Sequence, residues 1–263
     1  FGSWMVFAAI WSVLVYFPVA HWVFAFDDFV AMTGGWIAND LGAIDFAGGT
    51  AVHINAGAAG LALAIILGKR VGWRREAMRP HSLPLVMLGA ALLWFGWFGF
   101  NAGSAVGSNG TAGLALLNTI GATVAAVLAW LLVEKIRDGH ATSLGAASGV
   151  VAGLVAITPA CAAVDASGAL IVGALAGVLC SLSVGLKFKL GIDDSLDVVA
   201  VHLVGGIVGT LMIGVVGVDV GLFNGGGTDQ LIKQIIGAGA VLGYSFIATL
   251  IIGYALDKTI GLR

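Results

Sequence analysis

Eight stretches of about 20 residues, almost free of charge, constrain this chain more than any other feature. They fall near 1–24, 45–68, 83–105, 113–133, 142–161, 166–186, 196–217 and 232–256. An apolar helix of ~20 residues matches the ~30 Å hydrocarbon core of a bilayer. Backbone N–H and C=O groups in lipid must be satisfied within their own segment, so each stretch is expected to be a helix. Period-2 alternation is absent, which excludes a β-barrel. Composition agrees: charged residues make up 10% of the chain and hydrophobic ones 59%, whereas a soluble domain needs about 25% charged residues to solvate its surface. A soluble enzyme is therefore excluded. The connections are short apart from 25–44, 69–82 and 218–231.

Charge placement sets the orientation. Lys69, Arg70, Arg74, Arg75 and Arg79 separate the second and third stretches. Lys135 and Arg137 follow the fourth, Lys187 and Lys189 the sixth, and Lys258 and Arg263 the eighth. The remaining connections carry Asp27, Asp28, Asp40, Asp165, Asp219 and Asp229, with Lys233 as their one cation. Eleven of twelve Lys/Arg thus lie on alternate connections, as positive-inside segregation requires. Eight spans with both ends of the chain cytoplasmic give this pattern. The net charge of −2 carries no information about partners, because the charges are split between the two membrane faces.

Ionisable groups inside spans are costly unless paired or lining a cavity, and they mark function. His53 lies mid-way along the second stretch and His202 about a third of the way into the seventh. Each follows an acid by eight residues, as Asp45-x7-His53 and Asp194-x7-His202, with Asp197 also near the start of the seventh. At 1.5 Å per residue, acid and histidine stand ~12 Å apart along the axis. The two stretches run in opposite directions, which is the pattern of an inverted repeat with its site near the midplane. An odd number of helices per unit inverts the next copy. Stretches three to seven make a five-helix unit, so the second should close a five-helix unit of its own. The expectation is an all-α polytopic protein of about eleven spans, of which three precede residue 1. The glycines Gly149, Gly153, Gly173, Gly177, Gly205, Gly206 and Gly209 recur at helical spacings and suit close helix contacts in lipid.

Two neutral imidazoles can bond to each other, one donating and one accepting, and can pass a proton. They offer polar contacts to a small hydrogen-bonding solute in an otherwise apolar path. They do not make a metal site, which wants three or four ligands with a second shell. Asp45 and Asp194 also suit helix N-capping, a reading that stands beside any role at a pore mouth. The third stretch brings Trp94, Phe95, Trp97, Phe98, Phe100, Asn101 and Ser104 together, with Phe100 and Ser104 towards its outer end. A ring beside a hydroxyl suits a cation; an interfacial aromatic belt is the plainer alternative, favoured for Trp94 and Phe95. Cys161 and Cys180 lie in apolar spans without metal-ligand spacing and read as small core residues.

Several long blocks resemble the Amt branch of the Amt/Rh ammonium transporters. They are the run from Asp45 through Gly48, Thr50 and His53 to Asn55, the run Gly96 to Ser104, and the run Asp197 to His202. Gly68-Lys69-Arg70 and Thr158-Pro159-Ala160-Cys161 are similar too. The resemblance covers the whole chain, in the order of family helices four to eleven. It implies an eleven-helix fold built as an inverted five-plus-five repeat, with residues 1–263 forming one transmembrane transporter domain without the first three helices or the cytoplasmic tail. It also implies a homotrimer with one pore per subunit, set in the cell membrane, and a PII-type signalling protein as partner at the cytoplasmic face. Neither a cofactor nor a nucleic acid is implied.

Residue by residue, His53 and His202 resemble the family's twin pore histidines, and Asp45 resembles the acid beneath the outer recruitment site. Ser104 matches the hydroxyl that contacts ammonium there, Phe100 the inner ring of that site, and Trp97 a pore-wall tryptophan. Asp194, Asp197 and Asn55 are supporting positions. The family's recruitment-site tryptophan has Phe24 at its place, and Trp36, in the long 25–44 connection, is the available substitute. The implied mechanism is capture of ammonium, its deprotonation, and passage of ammonia past the histidines with a proton relayed along them. An ammonium sensor on the same scaffold is the alternative. An intramembrane His/Asp enzyme lacks a nucleophile or metal set converging on the histidines.

Overall fold

The computed structural model describes residues 1–27, 34–76 and 78–262. Asp28 and Arg263, two of the charges used for orientation, lie outside the described residues. Among the described residues the structure is built of eight principal helices. These are α1 (Gly2–Phe24), α2 (Gly49–Leu67), α3 (Leu83–Gly103), α4 (Gly110–Asp138), α5 (Ser143–Ile157), α6 (Ala166–Ser183), α7 (Val199–Val216) and α8 (Asp229–Thr259). A short helix, Leu186–Leu190, extends α6.

Local chemistry explains where several helices start. Ser82, Asn109, Thr142 and Asp165 each accept a hydrogen bond from a backbone N–H of the first turn of α3, α4, α5 and α6. Such caps satisfy donors that a helix start leaves free. The Asp165 carboxyl is held below the usual carboxylate range by the Gly168 N–H and the Ser167 hydroxyl. Gly139, in the left-handed region at φ 81°, ends α4 as a C-cap glycine.

Among the described residues, seven helices are long and apolar enough to cross a membrane, and α5 is the exception to the expected eight. Its 15 residues rise ~22 Å, less than the hydrocarbon thickness. Surroundings explain why it is tolerated: α5 packs on α4, α6, α7 and α3, and residues from Gly145 to Ile157 along it are mostly buried. From Gly145 onward its flanks are covered by protein rather than lipid, so it need not match bilayer thickness. The expected fourth and eighth stretches were too short, since α4 and α8 run to 29 and 31 residues. Polar residues such as Glu134, Lys135 and Arg137 close the apolar window on α4 without ending the helix.

Close packing is made by small residues. A Cβ on Gly209 of α7 would collide with the Ala156 carbonyl oxygen of α5. Contact at backbone distance is how helices associate where burial from water supplies no driving force. The two antiparallel helices that carry the histidines, α2 and α7, sit in the middle of the assembly, with α8 against both. Cys161 and Cys180 are buried with free thiols. At the end of the molecule carrying Lys69 and Lys187, Arg70 forms a bidentate pair with Asp193 at 2.7 and 2.9 Å. The Arg70 guanidinium holds the Asp193 carboxyl below its ordinary range.

Candidate functional site

The α2 and α7 helices start in the same unusual way. Asp45 Oδ1 accepts from Gly48 N at 2.8 Å and Gly49 N at 2.6 Å. Its Oδ2 accepts from Thr50 N at 2.8 Å, Thr50 Oγ1 at 2.5 Å and Ala51 N at 3.2 Å. Asp194 does the same for α7, taking Val198 N at 3.1 Å and Val199 N at 2.7 Å. Three residues after each acid the backbone swings to positive φ, +124° at Gly48 and +57° at Asp197. Glycine adopts this freely, and Asp is among the few side chains that tolerate it. The first turns that follow are π-helical, Gly49–Ile54 and Val199–Leu203. The Asp-x7-His repeat is thus a repeat of backbone conformation as well as of residues: capping acid, positive-φ residue, wide turn, histidine. Wide turns of this kind concentrate at functional sites because they re-aim side chains.

The two histidines meet. His53 Nδ1 and His202 Nδ1 are 3.2 Å apart. Only one of the two facing nitrogens can carry the shared proton, so the pair fixes opposite tautomers, with Nε2 bare on one ring and protonated on the other. His53 is 2% exposed, and its Nε2 has no hydrogen-bond partner. The Trp97 ring lies nearly parallel to His53, with centroids 5.4 Å apart and planes 17° apart. Phe100 stands 6.3 Å from His53 and 5.3 Å from Trp97. Asn55 is fully buried and donates to Ala51 O at 3.1 Å, bracing the π-helical turn.

Above the pair on the Asp45 side opens a vestibule of about 960 Å³, lined by Tyr16, Phe24, Phe26, Asp45, Phe100, Ser104 and Asp219 among others. Ser104 donates its proton to Phe100 O at 2.7 Å, which leaves the hydroxyl oxygen free to accept from a solute. Trp36 is elsewhere: it packs 6.0 Å from Trp22 and is not among the vestibule residues, whereas Phe24 is. At the opposite end a cavity of about 160 Å³ is lined by Asp194, Asp197, Lys187, Leu61 and Val199 among others. Asp197 pairs there with Lys187 Nζ at 2.5 Å, and the same ammonium donates to Asp194 O at 3.1 Å.

This constellation is two similarly capped turns, a facing histidine pair, an aromatic wall and a vestibule, and known proteins have similar sequences. The sequence model of the Ammonium Transporter Family matches residues 1–263. The chain belongs to that family. It is 65% identical over 275 residues to an ammonium transporter of Mycobacterium tuberculosis, covering 100% of this chain and 58% of that protein. Among solved structures, the N240A mutant of Candida albicans Mep2 superposes with a TM-score of 0.89 at 38% identity, over 100% of this chain and 59% of the other. A protein described as a sensor Amt protein superposes at 0.88 and 32% identity, over 97% and 64%. The chain spans about 58–60% of the length of the first relatives it matches. This is a family of transporters rather than enzymes, and its all-helical fold is the one found here.

Two further contacts shape this site. Gln234 of α8 is fully buried, accepts from Ile44 N at 2.7 Å and donates to Ile44 O at 2.7 Å. It clamps the chain just before Asp45, while Gln230 donates to Gly42 O at 3.3 Å. Thr158 and Asn101 hold the Trp97 indole through buried bonds. An amide in an apolar span is costly unless bonded, which is the one signal in the sequence at Gln234, although its partner 190 residues away is not marked there.

Proposed function

We propose that this chain forms the pore-bearing part of an ammonium/ammonia transporter. The observation that carries the reading is the His53–His202 pair, 3.2 Å apart between two inversely oriented helices and below an aromatic vestibule. Ammonium is captured where the Ser104 oxygen can accept from it and the Phe100 ring can face its charge. Asp45, buried under the vestibule, adds negative potential without touching the solute, because all its lone pairs are committed to the α2 turn. Ammonium then gives a proton to the unpartnered Nε2 of His53, in the tautomer that leaves it bare, and the ammonia formed passes along the apolar wall of Trp97 and the histidines. The proton moves separately through the paired Nδ1 atoms, each transfer exchanging the two tautomers. Asp194 and Asp197 frame the exit beside Lys187.

Residues 1–263 belong to one transmembrane transporter domain, in a homotrimer set in the cell membrane. The Lys/Arg-rich end is cytoplasmic and open to a PII-type signalling protein. The 65% identity to an ammonium transporter supports the substrate. The test is uptake of ¹⁵N-ammonium into liposomes holding the full-length protein under an inward gradient. Uptake above that of empty liposomes is the expected result, and none, with folded protein present, rejects the proposal. A sensor is the second reading, supported by the superposition on a sensor Amt protein. It predicts ammonium binding with a conformational response but flux too slow to fill the liposomes.

A further inference from the structure

The Trp97 indole is tied away from the pore it lines. Its Nε1–H donates to Thr158 Oγ1 at 2.9 Å, and Trp97 is 8% exposed. Thr158 follows the last residue of α5 and is fully buried. Its one hydroxyl proton is shared between Leu154 O at 2.7 Å and Asn101 Oδ1 at 3.3 Å, so its oxygen faces the indole as an acceptor. Asn101, also fully buried, in turn donates to Thr119 Oγ1 at 3.0 Å on α4. Three helices thereby fix one ring. A tryptophan N–H is donor-only. Left free beside the histidines, it would compete for ammonia's lone pair and repel ammonium's protons. Held by Thr158, it leaves only the ring face for the solute and lies flat on His53 at 17°.

We infer that Thr158, supported by Asn101, is a positioning residue that withdraws the Trp97 N–H from the pore and thereby sets the stacking of His53. This rests on the transport reading above and adds a device to it. Thr158→Val keeps the shape and removes the acceptor, leaving a buried donor to turn towards the path. Current per folded protein should fall roughly tenfold, the scale of unpairing one buried donor. The half-saturating ammonium concentration stays within about twofold, since the vestibule is intact. Thr158→Ser restores the acceptor and most of the current.

A role confined to folding would lower the yield of protein but not the current per folded molecule. The decisive comparison is a double-mutant cycle with Trp97→Phe, whose ring has no N–H to satisfy. Thr158→Val should have no further effect in that background. Equal losses in both backgrounds overturn the inference. If Trp97→Phe conducts too little to compare, spectra of [¹⁵N]tryptophan-labelled protein decide. The Trp97 indole resonance should shift in Thr158→Val and stay in Thr158→Ser, and an unmoved resonance in Thr158→Val also overturns it. Absence of ammonium current in the wild-type protein would instead reject the transport reading itself.

Discussion

Replacing Asp45 by Asn tests how the histidine helix is held. The carboxylate accepts five hydrogen bonds, two on Oδ1 and three on Oδ2. Asn has nearly the same shape but only one acceptor oxygen and an NH₂ donor. With the amide oxygen placed on the Oδ1 side, Gly48 N and Gly49 N stay satisfied. The NH₂ then confronts Thr50 N and Ala51 N, while the Thr50 hydroxyl can rotate and accept. Two backbone donors are orphaned in a site where Asp45 is 8% exposed. At ~1–3 kcal/mol for each buried unsatisfied donor, the loss should be ~2–6 kcal/mol. Unfolding of the detergent-solubilised protein in denaturant measures it. A loss within ~0.5 kcal/mol of wild type, the range of an ordinary surface substitution, would refute the capping argument. The same variant removes the negative charge below the vestibule, so ammonium current should fall as well. A stability loss with full current would confine Asp45 to capping.

Other consequences are as direct. Arg70→Ala strips two charge-assisted bonds from Asp193, whose side chain is 1% exposed, and should cost ~1–3 kcal/mol in denaturant unfolding. Because the Asp193 carboxyl sits below its ordinary value in the folded protein, its contribution is present above the usual carboxylate range. It is lost as pH falls through the lowered value, so Arg70→Ala should flatten the acid limb of a stability–pH curve. Gly209→Ala drives a methyl into the Ala156 carbonyl and should cost ~3 kcal/mol or prevent folding, read as loss of the monodisperse peak in size-exclusion chromatography.

Much of the fold was legible because the bilayer leaves few options. Uncharged 20-residue stretches mark every principal helix, and the spacing Asp-x7-His marks the two helices that start alike. The structure added what hydrophobic periodicity does not encode. A π-helical turn at Gly49–Ile54 carries the same apolar pattern as an α-helix, so its presence shows only in the backbone. The extent of α5 was misjudged because a helix sheathed by protein obeys different length rules from one facing lipid. Trp36 was a plausible vestibule residue by loop position, but it packs on Trp22. Asp197 was expected only as a supporting residue near the start of α7, and its backbone conformation could not be read from the sequence. It occupies the positive-φ position equivalent to Gly48, and its carboxylate pairs with Lys187. Gln234 and Thr158 act through atoms brought together from distant parts of the chain, 190 residues apart for Gln234 and Ile44, and no local pattern announces such meetings.

The central claim is that ammonium transport runs through the paired histidines, and current across a planar bilayer or solid-supported membrane tests it most directly. Full-length protein is compared with the His53→Ala/His202→Ala double variant, at matched amounts of folded protein, on addition of ammonium and then of potassium. The account predicts an ammonium-specific current in the wild type and loss of that selectivity in the double variant. Unchanged ammonium selectivity in the double variant would contradict it.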